Sequence, residues 1–351
     1  MHHPAMSPPL LTSDLPGVGG RIKSKPDDFE VEEIPSYEPS GNGDHLFLWI
    51  EKRGVGSEYF TRTVAQRLGV HAGAIGTAGL KDRHAVSRQW VSVPKECEPN
   101  LSKLAGDGIA VLKVSRHENK LKPGHLRGNK FRILIRGADR KHESASLRVI
   151  DRIRTQGMPN YYGPQRFGRE GSTADLGFQC LAGKQPKRIR PFLFKFALSA
   201  AQSLMFNEYL ARRHGDGLLR TVLPGDVMMK WPFGGLFVAE DIPAEQARFD
   251  AKETAPGGPM FGSRTFAAAG LAAEREAGVL RDFGLGPASF TGFGKLVSGT
   301  RRHTIVYIDD LAAAWEADGL RLSFTLPAGS YATVLLREVM KADWDGEGEE
   351  D

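Results

Sequence analysis

Strand-like runs are crowded into two separated parts of this chain, and that separation limits the fold more than any other feature. Apolar or period-two stretches occur at Leu46 to Ile50 in "DHLFLWIEKR", in "AVSRQWVSV" (85–93), in "IAVLKVSR" (109–116) and in "NKFRILIRG" (129–137), where Phe131, Ile133 and Ile135 share one face. Strand character then lapses until "HTIVYI" (303–308) and "RLSFTL" (321–326), in which Leu322, Phe324 and Leu326 alternate with Arg321, Ser323 and Thr325. Isolated short strands are unstable in water. The economical arrangement adds both late runs to the first sheet, making the block between them an insertion within one α+β domain.

The helical signals fit this plan. Gly54 and Gly56 break the first run; Ser57 then stands where an N-cap is wanted, Phe60, Val64 and Leu68 recur every four residues, and Gly69 suits a left-handed terminus. "ESASLRVIDRIRTQG" (143–157) spaces Leu147, Ile150 and Ile153 by three, with Gly157 and Pro159 ending the helix. From about Asn160 the chain is rich in Gly, Pro and aromatic residues, followed by helical stretches in "LSAAQSLMFNEYLARR" (198–213) and "TFAAAGLAAEREAGVL" (265–280). "YATVLLREVMK" (331–341) is a last amphipathic helix with Ala332, Leu335, Leu336, Val339 and Met340 on one face. The expected division is a main domain over 1–156 and 306–341, an inserted domain over 157–305, and an acidic tail over 342–351.

Charge narrows the partners. The net charge is only +5, but between Lys113 and Arg136 eight Lys or Arg (Lys113, Arg116, Lys120, Lys122, Arg127, Lys130, Arg132, Arg136) with His117 and His125 face the single acid Glu118. "KQPKRIR" (184–190) adds four cations and no acid, so a polyanion is the natural partner. Two cysteines, Cys97 and Cys180, suit neither a disulfide framework nor a zinc cluster and fit a reducing compartment. The opening "MHHPAMSPPL" does not resemble a secretion signal, and no stretch has the ~18 apolar residues of a membrane span. A cytoplasmic protein is expected.

Other chemistries lack their residues. "PGVGGR" (16–21) and "GVGS" (54–57) miss the third glycine of a dinucleotide loop, and "GFGKLVSG" puts Leu296 where a phosphate loop needs Ser or Thr. The ten histidines show no metal-ligand spacing, and there is no Gly-x-Ser-x-Gly elbow.

Six strings remain: "KPDDFEVEEI" (25–34), "AGLKDRHAVSRQ" (78–89), "LRGNKF" (126–131), "NYYGPQRFG" (160–168), "GPMFG" (258–262) and "LPAGSYAT" (326–333). In this order they resemble the TruD family of tRNA pseudouridine synthases, from about Lys23 to Val339. The resemblance implies a pseudouridine synthase-like catalytic domain with a mixed or antiparallel sheet, interrupted by an inserted α/β TRUD domain. It also implies conversion of uridine to pseudouridine in tRNA, at uridine 13 of the D arm, without cofactor or metal. tRNA is then the partner, no protein partner is implied, and a monomer is expected.

The aspartate of the family's G-x-K-D-R-x-A string falls on Asp82. Chemistry gives the choice independent sense, because moving the ribose C1′ bond from N1 to C5 needs no redox change and no outside reactant. A carboxylate could capture C1′, attack C6 of the ring, or remove the C2′ proton, and the sequence leaves all three open. A carboxylate taken out of water beneath a base needs a cation to stay charged. Lys23, which precedes the family's D-F-x-V-x-E string, is expected to be that partner, with Lys81 and Arg83 as flanking phosphate or structural groups because strand neighbours point to opposite faces. A uridine within folded tRNA must leave its stack to be reached. The resemblance places substrate contacts at Phe29, Asn129, Phe131 and Tyr331; Phe29 and Phe131 would serve equally as core residues, and Asn129 as a turn former after Gly128. The family often carries phenylalanine at the Tyr331 position, so its ring matters rather than its hydroxyl. The competing class is a tRNA-binding or chaperone module without chemistry; a nucleoside hydrolase, the third, would release free uracil.

Overall fold

The computed structural model describes residues 4–184 and 188–342. The two early histidines, the centre of "KQPKRIR" and the acidic string "DWDGEGEED" lie outside the described residues. The chain divides into two compact units: a sheet unit of Leu15–Asp151, Ile308–Ala332 and Val339–Asp351, and a second unit of Met1–Asp14, Arg152–Tyr307 and Thr333–Glu338.

The first run of strands is β1 (Phe29–Pro35), β2 (His45–Arg53), β3 (Gly76–Thr77), β4 (Val86–Pro94), β5 (Ile109–His117) and β6 (Leu126–Arg136). Alternation along β2 sends Leu46, Leu48 and Ile50 into a core with Phe60, Val64 and Leu68 of α1 (Ser57–Leu68). The opposite face buries Phe47 with Trp90 and Leu121. Gly69 ends α1 at φ 71°, the left-handed conformation expected there, but the N-cap is Gly56. Ser57 is the first helical residue, and its hydroxyl is spent elsewhere. In α2 (Glu143–Gln156) Val149, Ile150 and Ile153 are buried while Leu147 is half exposed, so the apolar stripe runs one position off the expected spacing.

The second unit carries β7 (Met158–Pro159), α3 (Ser172–Leu181), α4 (Pro191–Gly215), β8 (Val227–Lys230), β9 (Leu236–Val238), α5 (Ile242–Asp250), β10 (Thr254–Met260), α6 (Gly270–Asp282), β11 (Thr300–His303) and β12 (Ile305–Val306). Its sheets run β11-β10-β8-β9 and β12-β7. The expectation that "HTIVYI" joins the first sheet is therefore wrong: Ile305 and Val306 pair with Pro159 and Met158. Apolar content marks a strand but does not say which sheet receives it. Helix α6 also starts later than "TFAAAG" suggested, because Ala269 donates its N–H to Gly225 and Thr265 turns back onto Met260 and Gly262.

The chain returns with β13 (Ala312–Glu316), β14 (Gly319–Pro327) and α7 (Ala332–Met340), whose five expected apolar residues are all buried. The large sheet has the order β13-β14-β6-β1-β4-β2-β5, with β3 also on β4. Among the described residues only β1 and β4 run parallel in this sheet, so it is mixed. Register sets Phe324 opposite Phe131, and Leu326 and Glu33 on either side of Asn129. Gly128 makes this approach possible, since a Cβ there would lie 2.3 Å from the Leu326 carbonyl oxygen.

Candidate active site

β4 has one complete flank, along β2, and one divided flank. On the divided side β1 pairs with Val86–Arg88 and β3 with Val91–Ser92. Between them the Trp90 N–H donates to Glu33 Oε1 at 3.3 Å, while Lys81 Nζ donates to Glu33 Oε2 at 2.8 Å. Both side chains are nearly sealed from water, at 4% and 1% exposure. Lys81 thus serves the sheet from inside and presents no charge to a phosphate; of the two roles open to it, the structural one fits this burial.

Its neighbour Asp82 faces the other way. Asp82 Oδ2 stands 3.2 Å from Lys23 Nζ, with the carboxylate side chain 34% exposed and the lysine 12%. Lys23 holds φ at 58°, a left-handed conformation that costs a non-glycine residue about 1–2 kcal/mol and that persists where surroundings demand it. The same ammonium lies 4.7 Å from the centroid of the Phe29 ring. Phe29 meets Phe131 edge-on at 6.1 Å, and Phe131 stacks on Phe324 at 5.2 Å. Carboxylate, cation and rings therefore form one contiguous set.

Asn129 is half-buried between β1 and β14, yet its Oδ1 is buried and accepts no hydrogen bond from the protein. Such an unmet acceptor costs about 1–3 kcal/mol. Tyr331 follows the turn at Pro327–Ser330 and is half-buried at the start of α7. Arg83 is exposed. Among the cations of the Lys113–Arg136 belt, Arg116, Arg132 and Arg136 are held by Glu98, Glu30 and the Asp28–Asp318 pair, whereas Lys113, Lys122, Arg127 and Lys130 are exposed. Arg188 and Arg190 are exposed as well. Among the described residues no three His, Cys, Asp or Glu side chains cluster as metal ligands would, and no helix is long and apolar enough to cross a membrane.

Three residues of this neighbourhood escaped the sequence reading: Glu33, Lys52 and Ser57. For Glu33 a signal existed, since Phe29, Val31 and Glu33 share one strand face and an acid there has no water to face. Lys52 likewise continues the apolar series Leu46, Leu48, Ile50, and lies 1% exposed.

The mixed sheet, with the Asp82–Lys23 pair beside it, is a defined arrangement, and comparison with known proteins identifies its family. The model of the family described as tRNA pseudouridine synthase D (TruD) matches residues 6–193 and 186–339. A tRNA pseudouridine synthase D from Anaeromyxobacter sp. (strain Fw109-5) is 43% identical over 339 residues, covering 95% of this chain and 96% of its own. One from Thermus thermophilus is 42% identical over 336 residues, covering 95% and 92%. A crystal structure from Methanosarcina mazei, described as a candidate protein of this type, superposes with a TM-score of 0.79 at 24% identity, covering 96% of this chain and 97% of its own, and shares the fold. This chain belongs to the tRNA pseudouridine synthase D (TruD) family.

Proposed function

We propose that this protein isomerises uridine to pseudouridine in tRNA, with uridine 13 of the D arm as its target and Asp82 as the catalytic carboxylate. The observation that carries the reading is the contiguous set of Asp82, Lys23 and Phe29, because it joins a reactive anion, its counter-charge and an aromatic wall in one place. The reaction is balanced without a second reactant. The C1′–N1 bond breaks, the freed base turns, C1′ bonds to C5, C5 gives up its proton and N1 gains one. Asp82 serves as nucleophile at C1′ or C6, or as base at C2′; Lys23, 3.2 Å away, supplies its counter-charge in each case.

The everted uracil is supported by the half-buried ring of Tyr331, since each stacked base recovers about 1–3 kcal/mol of the cost of leaving the helix, while the buried rings of Phe29 and Phe131 back the site from the core. Asn129 Oδ1 accepts the N3–H of uracil and so distinguishes it from cytosine, whose N3 carries no proton. Exposed cations at Lys113, Lys122, Arg127, Lys130, Arg188 and Arg190 hold phosphates and give no sequence preference. The test is Asp82→Asn: tRNA binding is retained and no pseudouridine forms. A wild-type protein that binds tRNA without forming product would establish the passive-binder reading, and free uracil in the reaction would establish the hydrolase.

A further inference from the structure

The catalytic loop has no regular structure of its own. Residues 80–85 between β3 and β4 belong to no strand or helix, yet Asp82 must be presented at one place. What fixes it lies behind it. Lys52, 1% exposed at the end of β2, directs its ammonium at three main-chain carbonyls: Val55 at 2.7 Å, Lys81 at 2.8 Å and Asp82 at 3.2 Å. Ser57, at the start of α1, donates from Oγ to the Lys81 carbonyl at 2.9 Å and accepts the Lys81 N–H at 3.1 Å. The Lys81–Asp82 dipeptide is thereby tied to the strand and helix that pack in the sheet unit's core.

An ammonium is an expensive group to bury, and neutral donors can hold carbonyls as well. Lysine does something a neutral donor does not: it places positive charge on the main-chain carbonyls of Lys81 and Asp82, while Lys23 meets the Asp82 carboxylate. Of the two cations that flank Asp82 in sequence, Lys81 is engaged by Glu33 and Arg83 is exposed.

We propose that Lys52 and Ser57 are positioning residues of the isomerisation, holding the Lys81–Asp82 backbone so that the Asp82 carboxylate meets the everted nucleotide, with neither side chain touching RNA. The proposal rests on Asp82 carrying the chemistry. Displacement of a reacting group by about 1 Å costs on the order of 100-fold in rate, whereas phosphate contacts lie elsewhere and are left intact.

The experiment compares Lys52→Met, Ser57→Ala and the double variant with wild type, measuring single-turnover pseudouridine formation at saturating tRNA alongside tRNA affinity. Lys52→Met lowers the rate about 100-fold and Ser57→Ala about 10-fold, with affinity within about threefold of wild type. Because both groups hold the same carbonyl, the double variant is slower than Lys52→Met by much less than the Ser57→Ala factor alone. Wild-type rates in either folded variant, rate factors that simply multiply, or losses confined to affinity would overturn the assignment. Should Lys52→Met fail to fold, Ser57→Ala decides by the same rate and affinity criteria. Asp82→Asn, run in parallel, separates the two ideas: an active Asp82→Asn defeats the catalytic reading, while an inactive one beside wild-type rates in Ser57→Ala and Lys52→Met defeats only the positioning role.

Discussion

Glu33 and Lys81 close a 2.8 Å ion pair from which water is excluded on both sides, one residue away from the partly exposed carboxylate of Asp82. Removing one member leaves the other charge buried and unmatched, so Lys81→Met should cost about 3–5 kcal/mol of stability. Pairing it with Glu33→Gln removes both charges, keeps an acceptor for the Trp90 N–H and should recover most of the loss. Urea unfolding of the single and double variants measures this, and a Lys81→Met protein within about 1 kcal/mol of wild type by that measurement contradicts it.

In the proposed mechanism Lys23 acts on the anion rather than on the sheet. Lys23→Met should lower the single-turnover rate by about 100-fold while leaving tRNA affinity and urea midpoint near wild type, as expected for loss of a preorganised charge. A rate within about threefold of wild type in this variant would show that Asp82 needs no such partner.

Of the site's rings, Phe29, Phe131 and Phe324 are buried, whereas Tyr331 is half-buried. Phe324, 1% exposed, is core, and Phe324→Ala should destabilise by about 3–5 kcal/mol. Tyr331→Phe should react at close to the wild-type rate, whereas Tyr331→Ala should lose about 5- to 100-fold, the equivalent of one stacking contact. Equal losses in both Tyr331 variants would assign the role to the hydroxyl.

Phosphate contacts from Lys113, Lys122, Arg127 and Lys130 alone should give tRNA binding a log–log salt slope of about −3, measured by titration at several salt concentrations. A flat response removes the electrostatic part of the reading.

His214 gives a pH signature in the second unit. Burial pushes its imidazole below the ordinary histidine range, opposed by the charge of Glu338, and the Tyr161 hydroxyl lies 3.3 Å from its Nδ1. The folded form therefore resists a proton that the unfolded chain accepts near pH 6.5, so this group's share of stability is full above about pH 6.5 and declines as pH falls below it. An NMR titration should place the His214 midpoint below about 6.5, and a midpoint at or above that value refutes it.

Much of this arrangement could be read from residues alone, for a physical reason. Period two along β14 and through Phe131–Ile135 of β6, and the four-residue spacing in α1, are local, and local patterns survive in sequence. The Lys23–Asp82 contact was accessible through the family resemblance, which sets Lys23 before the D-F-x-V-x-E string and Asp82 in the G-x-K-D-R-x-A string. The destination of "HTIVYI" was not accessible, since strand pairing is decided by a distant partner, here Met158–Pro159. Lys52 and Ser57 were missed because their hydrogen bonds go to main-chain atoms, which every residue carries and no motif records.

The register of β14 on β6 carries a consequence for biosynthesis. Asn129 and Phe131 obtain their neighbours Leu326 and Phe324 only after the ribosome has added nearly two hundred further residues, ~10–40 s of elongation at ordinary rates. Through that interval one edge of β6 waits with its amides unmatched, inviting mispairing with other nascent chains. Truncation anywhere before residue 327 should therefore yield not a weakened catalyst but a chain prone to aggregate, and chaperone demand should fall sharply once β14 has emerged.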